Sequence, residues 1–411
     1  MTVLRDYGRD DLRKVIPSKS VPRGEVRATH PLDPLFTPTS IAVVGASNKE
    51  NKVGYLVVRN LLASGYPGPI HPVNRKAPEV QGIKAFPAVS DIEGDVDMVV
   101  SCVPARYVPA VIDEAGRKGA RSCVIITAGF SEVGKDGKDL EREVEDIAQR
   151  HGMRLLGPNC LGLVNTQHHM NATFASRTPR EGSLAIISQS GAVCVTVLDW
   201  AEQNRVGFSK FISVGNKLDI EESDLVDFLK VDDPTRMVMM YIEHIRSGRE
   251  FIAAAREASR TKPVLALKSG RTAAGAKAAS SHTGAIAGAD SVYEAAFRKA
   301  GVMRVRRLTE FFDFAKAFTQ LPLPRGGRVA IVSNAGGFAV VSSDAVADQP
   351  ELSMASFTKG TLDHLSEELP AEANIYNPVD VLGDARLERY RLSVEAMLAD
   401  LNERAVQRRS Q

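Results

Sequence analysis

The sequence contains few cysteines and no long apolar run. Its four cysteines lie far apart and form no CxxC pair; they are Cys102, Cys123, Cys160 and Cys194. This spacing disfavours a disulfide framework or a zinc site and is typical of a protein from a reducing cytosol. No apolar stretch approaches the roughly 20 residues that a transmembrane helix needs. We therefore expect a cytoplasmic protein with no membrane partner and no bound metal.

An excess of charge of either sign is also absent. Lys and Arg total 52, Asp and Glu total 50, and the formal net charge of the 411 residues is +2. Because nucleic-acid-binding surfaces usually carry a basic excess, we expect no nucleic-acid partner. At roughly 100–200 residues per domain, a chain of this length predicts about two to four domains.

The start of the chain shows neither a secretory signal nor a regular pattern. Residues 1–34 are polar and rich in Arg, and they lack the apolar segment of a signal peptide. Asp6, Asp10 and Asp11 disfavour a mitochondrial presequence. The composition therefore predicts a flexible N-terminal extension.

From Ser40 onward, short apolar strands alternate with amphipathic helices. Strands such as Ile41–Val44 and Met237–Ile242 are nearly continuous apolar runs, which is typical of a parallel sheet with helices on both faces. The alternation repeats in three units and predicts an α/β fold. The third unit lacks the later strands of an open α/β domain, so we expect it to be incomplete. The predicted domains are 35–165, 166–322 and 328–400, followed by a tail at 401–411.

The first strand runs directly into a small-residue turn and then a helix. The turn is Gly45, Ala46 and Ser47, and the helix contains Gly54. A strand, a glycine turn and a helix N-terminus together form a phosphate site, because backbone N–H groups and the helix dipole face the anion. The spacing is not GxGxxG, so this motif alone is weak.

The second strand argues against NAD as the ligand of that turn. An NAD site places Asp or Glu at this strand end to bind the ribose hydroxyl, whereas here the strand ends in Asn74, Arg75 and Lys76. Two cations at this position suit a phosphorylated ribose, as in CoA or NADP. A solvated basic turn is the structural alternative.

Two strand–helix junctions repeat within the chain. LAIISQSGAV (Leu184–Val193) and VAIVSNAGGF (Val329–Phe338) both consist of an apolar strand, a Ser, two residues, a Gly and an apolar helix. Small residues let an anion approach a helix N-terminus closely. Either junction alone is an ordinary α/β turn, but the pair predicts a phosphate held from two sides. The candidate residues are Ser188, Gln189, Ser190, Gly191, Asn334, Ala335, Gly336 and Gly337.

One histidine differs from the other seven in its surroundings. His282 lies in AASSHTGAIAG, a loop of small residues that suits movement or close approach to another backbone. Imidazole is a competent nucleophile near neutral pH. Glu243 ends the strand MVMMYIE, where sites of open α/β sheets collect, and its carboxylate could orient an imidazole. A structural histidine and an exposed strand-end acid are the alternatives.

Four motifs in order resemble the ADP-forming acyl-CoA synthetases, which are relatives of succinyl-CoA synthetase. The resemblance covers roughly Leu35 to Arg386. The motifs are GPNCLGLVN (Gly157–Asn165), SQSGAV (Ser188–Val193), SVGNKLDIEESDLVDFL (Ser213–Leu229) and SSHTGAIAG (Ser280–Gly288).

The resemblance implies a fold and a reaction. The fold is an N-terminal CoA-binding Rossmann domain followed by flavodoxin-like, doubly wound parallel-sheet domains, the last of them incomplete here. The reaction converts acyl-CoA, ADP and phosphate into a carboxylic acid, ATP and CoA. His282 would carry the phosphoryl group, Glu243 would be its partner, and the two junctions would hold the phosphate. The implied CoA-binding residues are Gly45, Ala46, Ser47, Asn74, Arg75, Lys76, Val103, Pro104, Thr127, Ala128, Gly129 and Asn159.

The resemblance also implies a partner. In the family, an ATP-grasp domain or subunit binds ADP or ATP with Mg²⁺, and no such domain is present here, so we expect a hetero- or homo-oligomer. One alternative is a non-catalytic CoA- or acyl-CoA-binding protein, such as a sensor, a regulatory part of an acetyltransferase system or a truncated product. An NADP-dependent dehydrogenase is a more distant one. The sequence does not identify the acyl group.

Overall fold

The protein consists of two compact units, a larger one at Arg27–Pro322 and a smaller one that contains Leu323–Gln411. They are seen in a computed structural model that describes residues 30–272, 274–275, 289–321 and 326–407. Among these residues, no helix is long and apolar enough to cross a membrane.

The larger unit begins with a five-stranded parallel sheet. The sheet order is β2-β1-β5-β6-β7, so β1 lies between β2 and β5. All residues of β1, β5 and β6 are buried, as expected for a sheet with helices on both faces. The strands are β1 (Ile41–Val44), β2 (Ile70–Val73), β5 (Met98–Ser101), β6 (Ser122–Ile125) and β7 (Arg154–Leu156), with a hairpin of β3 (Glu79–Val80) and β4 (Ile83–Lys84). The helices are α1 (Asp33–Phe36), α2 (Val53–Ala63), α3 (Val108–Arg117) and α4 (Lys135–His151).

A seven-stranded sheet forms the rest of the larger unit. Its order is β14-β13-β12-β10-β11-β8-β9, with β10–β14 parallel and β8 and β9 antiparallel to their neighbours. The strands are β8 (Gly162–Asn165), β9 (Met170–Thr173), β10 (Glu181–Ser188), β11 (Phe208–Ser213), β12 (Met237–Ile242), β13 (Val264–Lys268) and β14 (Met303–Val305). The helices are α5 (Gly191–Asn204), α6 (Glu222–Lys230), α7 (Gly248–Ser259), α8 (Asp290–Ala300) and α9 (Leu308–Gln320).

Each of these sheets has a topological switch point. In the first sheet, β2 lies on one side of β1 and β5 lies on the other. In the second sheet, β11 and β12 lie on opposite sides of β10. Open α/β sheets bind ligands in the crevice at the carboxyl ends of such strands. The fold therefore indicates two crevices, one after β1 and one after β10.

Backbone contacts join the ends of the two sheets. The N–H groups of Asn216 and Leu218 donate to the carbonyls of Pro158 and Gly157, at 2.9 Å in both cases. Gly215 has φ +57°, and a Cβ atom there would lie 2.0 Å from the Pro158 oxygen. Only glycine can approach the Pro158 carbonyl this closely. These contacts hold the loop after β11 against the segment that follows β7.

Among its described residues, the smaller unit contains two short parallel strand pairs and three helices. Leu365, Leu369, Val379, Val381 and Met397 form its buried core. The strands are β15 (Arg328–Val329) paired with β17 (Ser353–Met354), and β16 (Val332–Ser333) paired with β18 (Val379–Asp380). The helices are α10 (Gly336–Ala347), α11 (Lys359–Glu368) and α12 (Leu387–Gln407).

Candidate functional site

The turn after β1 is built by close backbone packing. Gly45 has φ +87°, and a Cβ atom on it would lie 3.0 Å from the Cys102 carbonyl carbon. A Cβ atom on Gly54, in the first turn of α2, would lie 2.0 Å from the Gly45 oxygen. Both positions therefore need glycine, and α2 starts directly against the turn. This is the arrangement that lets a phosphate reach a helix N-terminus.

Asn74 links the end of β2 to that turn. Its Nδ2 donates to the Ala46 oxygen at 2.7 Å, and its Oδ1 accepts from the backbone N–H groups of Lys76 and Ala77 at 2.8 and 3.0 Å. Asn74 is thus a structural support for the turn. Arg75 and Lys76 are exposed beside it, where their charges are available to an anionic ligand.

The other predicted CoA-binding residues collect at the same sheet edge. The Thr127 hydroxyl donates to the Val103 oxygen at 2.6 Å, and the Asn159 N–H donates to the Thr127 oxygen at 2.9 Å. Val103 also lies against the Gly45 turn, since its Cγ1 would be 3.1 Å from a Cβ there. Pro104 and Ala128 are exposed and Ser47 and Gly129 half-buried at the same edge. The structure therefore brings the ends of β1, β5, β6 and β7 into one crevice.

A polar network that the sequence did not reveal supports this crevice. Asn216 Nδ2 donates to Glu132 Oε2 at 2.6 Å and to Glu141 Oε1 at 2.9 Å, and Asn216 Oδ1 accepts from Asn159 at 3.3 Å. Burial raises the pKa of Glu132, but hydrogen bonds from Asn216 and from backbone N–H groups outweigh it and hold the pKa below its ordinary value. Asn216 lies in a family motif, whereas nothing in the local sequence distinguishes Glu132.

The first junction forms a small-residue turn at the second switch point. Ser188 is fully buried; its hydroxyl donates to the Ser190 oxygen at 2.9 Å and accepts from the Ser190 N–H at 3.1 Å. Ser190 is the N-cap of α5, and its Oγ accepts from the Val193 N–H at 3.3 Å. Gly191 starts the helix, and a Cβ atom there would meet none of the described residues within 4 Å.

Gln189 has a different environment from its neighbours. Its Nε2 donates to Glu222 Oε1 at 2.5 Å and to the His244 oxygen at 2.7 Å, and its Oε1 accepts from the N–H groups of Glu243 and His244 at 2.8 and 3.0 Å. The backbone N–H of Gln189 donates to the Tyr241 oxygen at 3.2 Å. All its donors have protein partners, which favours a supporting role over the direct phosphate contact that we predicted.

Glu243 and His244 follow β12 at the same crevice. Glu243 is 8% exposed, and Nδ1 of His244 is buried without a hydrogen-bond partner among the described residues. Burial, together with the positive charges of Lys217, Arg246 and Lys268, lowers the pKa of His244 to about 4. His244 is therefore neutral at physiological pH, and three cationic side chains surround the end of β12.

A buried ion pair lies beneath this strand end. Lys217 Nζ is 3.2 Å from Glu222 Oε2, and the two side chains are 0% and 1% exposed. Lys217 also donates to the His244 oxygen at 2.7 Å. Both residues are in the motif quoted for the family resemblance, but their sequence pattern indicated only an amphipathic helix and its preceding loop.

The second junction repeats the geometry of the first within the smaller unit. The Ser333 hydroxyl donates to the Ala335 oxygen at 2.9 Å and accepts from the Ala335 N–H at 3.1 Å. These are the distances found for Ser188 and Ser190, so the two turns are the same structure. Asn334, Gly336 and Gly337 are exposed at the start of α10. His282 lies outside the described residues.

The comparisons with known protein families identify both sheets of the larger unit. Residues 39–166 match the CoA binding domain family. Residues 181–318 match the succinyl-CoA ligase like flavodoxin domain family. These matches confirm the expected α/β class and the order of a CoA-binding Rossmann-like domain followed by a flavodoxin-like domain.

Two archaeal relatives extend the similarity to most of the chain. An ADP-forming acetate–CoA ligase I of Archaeoglobus fulgidus is 44% identical over 90% of this chain and 53% of its own length. The alpha subunit of an ADP-forming acetate–CoA ligase II of Pyrococcus furiosus is 43% identical over 90% of this chain and 80% of its own length. The chain thus spans about half the length of the first relative and most of the second.

A solved structure shows the same architecture. It is the dinucleotide-forming acetyl-coenzyme A synthetase 1 of Candidatus Korarchaeum cryptofilum in complex with phosphate and ADP. Its TM-score to this chain is 0.85 at 39% identity, covering 89% of this chain and 78% of the other.

Proposed function

Because this chain belongs to the ADP-forming acetate–CoA ligase family, we propose that it is the CoA-binding and phosphohistidine part of an ADP-forming acyl-CoA synthetase. Its reaction would be acyl-CoA + ADP + phosphate giving carboxylic acid + ATP + CoA. The observation that carries this proposal is the pair of crevices at the two switch points, since one has the features of a CoA site and the other those of a phosphate site. The geometry suggests a separate role for each crevice.

The crevice after β1 would bind CoA. The backbone N–H groups of Ala46 and Ser47 and the N-terminus of α2 would face a diphosphate. Gly45, whose N–H donates to the Val73 oxygen, and Asn74 would hold the turn. The exposed cations Arg75 and Lys76 would attract the 3′-phosphate of the adenosine ribose. The residues that would line the rest of this crevice are Val103, Pro104, Thr127, Ala128, Gly129 and Asn159.

The crevice after β10 would bind phosphate and carry out the transfer. A phosphate oxygen attacks the thioester carbonyl, the C–S bond breaks, and CoA leaves as a thiolate that takes up a proton. The acyl phosphate then gives its phosphoryl group to the His282 imidazole and releases the carboxylate. Ser190 and Gly191 at the start of α5 would hold the phosphate oxygens, and the buried Ser188 hydroxyl, which is bonded to Ser190, would support their turn. Glu243 would orient the imidazole.

A second phosphate-binding turn and an ATP-grasp partner would complete the reaction. Asn334, Ala335, Gly336 and Gly337, which repeat the first turn at the start of α10, would form this second phosphate-binding turn. An ATP-grasp domain or subunit would bind ADP and Mg²⁺ and accept that group. The name of the Pyrococcus relative, a subunit alpha, supports such a partner. The domain boundaries 35–165, 166–322 and 328–400 are part of the proposal, as is a cytoplasmic location.

Two measurements test this function. The first is ATP formation from acetyl-CoA, ADP and phosphate in the presence of an ATP-grasp partner subunit, which should require both proteins. A series of acyl-CoAs then identifies the acyl group. Absence of ATP with every acyl-CoA and a partner of proven activity would contradict the proposal.

The second measurement tests the CoA crevice by calorimetry. Arg75→Ala/Lys76→Ala should weaken CoA binding roughly 10- to 100-fold, as expected when hydrogen bonds to a charged group are lost. It should leave dephospho-CoA, which lacks the 3′-phosphate, almost unaffected. Arg298→Ala/Lys299→Ala removes the same charge from exposed positions of α8, beside the second sheet, and is the matched control. Equal weakening of both ligands would place the 3′-phosphate elsewhere.

A further inference from the structure

The side-chain amide of Gln189 fastens the backbone at the end of β12. Its orientation is unambiguous, because the oxygen faces two N–H groups that can only donate and the nitrogen faces a carboxylate and a carbonyl that accept. The oxygen accepts from two successive residues, Glu243 and His244. Successive N–H groups of an extended strand point in opposite directions, so this shared acceptor fixes the turn with which the chain leaves β12.

The buried ion pair holds the amide in that place. Glu222 Oε1 accepts a hydrogen bond from Gln189 Nε2, and Glu222 Oε2 accepts one from Lys217 Nζ. Lys217 also reaches the His244 oxygen, which therefore has two donors. Because Lys217 and Glu222 are 0% and 1% exposed, water does not compete for these bonds. These side chains thus tie the carboxyl end of β10 to that of β12, in addition to the backbone bond from the Gln189 N–H to the Tyr241 oxygen.

We propose that Gln189 is a positioning residue that sets the direction of the Glu243 carboxylate, and that it does not bind the phosphate itself. This inference rests on the proposed function, in which Glu243 orients the imidazole that accepts the phosphoryl group. Without the amide, the two N–H groups lose this acceptor, and the backbone that carries the carboxylate loses the support that fixes its turn. The phosphate site at Ser190 and Gly191 would be unchanged.

A double-mutant cycle tests the inference. Gln189→Met keeps the side-chain length, and its rate of phosphohistidine formation from acetyl-CoA and phosphate should fall about 10- to 100-fold, as for other residues that orient a reacting group. The KM for phosphate should stay within about twofold. Glu243→Gln should slow phosphohistidine formation by a similar factor. Because both substitutions remove the same function, the orientation of the imidazole, the double variant should be no slower than the slower single variant.

Controls separate the possible outcomes. Gln203→Ala, at an exposed position of α5, should react like the wild type. Fluorescence of the single tryptophan, Trp200, reports whether each variant is folded, and Gln189→Ala, which also removes the amide, is the substitute if Gln189→Met is not. A raised KM for phosphate, or effects that multiply in the double variant, would overturn the positioning role. A wild-type protein that never becomes labelled would instead overturn the proposed function.

Discussion

The strongest stability prediction concerns the buried ion pair of Lys217 and Glu222. Lys217→Met removes the cation but leaves the Glu222 carboxylate in the interior, where Gln189 is its remaining described donor. Lys217 has φ +60°, but Lys and Met adopt that conformation at similar cost, so the backbone contribution cancels. Breaking a buried pair from one side costs about 3–5 kcal/mol, because an uncompensated charge stays behind.

Urea unfolding measures this loss directly. Trp200 belongs to the same unit, where it stacks on Phe312 with ring centroids 4.5 Å apart, so its fluorescence follows the relevant transition. With an m-value of about 3 kcal/mol/M, the midpoint should fall by roughly 1–1.7 M. Lys217→Met/Glu222→Gln should recover part of this loss, since no charge remains buried.

A surface pair provides the comparison. Arg180 and Glu202 are 3.0 Å apart with 53% and 42% of their side chains exposed, so Glu202→Gln should leave the midpoint almost unchanged. A loss below about 1 kcal/mol for Lys217→Met would refute the reasoning, because it would mean that the carboxylate finds water or another partner at little cost.

Three further predictions concern His244, two buried cysteines and Gly54. The pKa of His244 is lowered to about 4 in the folded protein, against about 6.5 in the unfolded chain. Between pH 6.5 and 4 only the unfolded state takes up this proton, so the free energy of unfolding should fall as the pH falls through that window. Urea titrations at several pH values should show a smaller fall for His244→Asn. Burial raises the pKa of Cys160 and Cys194 to about 12, so Ellman's reagent at pH 8 should modify neither thiol until urea unfolds the protein; rapid reaction in the native state would show an opening that the structure lacks. Gly54→Ala should abolish CoA binding or folding of the first sheet, because its Cβ would lie 2.0 Å from a backbone oxygen, whereas Gly248→Ala, with nothing within 4 Å, should be tolerated; a Gly54→Ala protein that binds CoA normally would contradict the close packing of α2.

The sequence predicted the fold class because its buried strands are short apolar runs with helices between them. Ile41–Val44 and Met237–Ile242 are found as strands with the expected bounds. The repeat of SQSGAV and SNAGGF was also a reliable signal, since Ser188 and Ser333 make the same two hydrogen bonds. In both turns the Ser hydroxyl bonds the backbone two residues further on, and this local interaction determines the shape of the turn.

The supporting residues could not be predicted in the same way. Gln189 was predicted to contact phosphate because it lies in the turn, but its contacts depend on Glu222 and on the end of β12, which are distant in sequence. Glu132 and Asn216 are 84 residues apart and meet only because the two sheets are joined. Pairings of this kind arise from tertiary structure and leave no periodic pattern in the chain.

Phosphorylation of His282 tests the central claim most directly. The protein is incubated with acetyl-CoA and [³²P]phosphate, with and without an ATP-grasp partner, beside His282→Ala. We predict a base-stable and acid-labile label that is present in the wild type, absent from His282→Ala and discharged to ATP when ADP and the partner are added. If no label forms with any acyl-CoA in the presence of a functional partner, or if His282→Ala is labelled equally, the account is wrong.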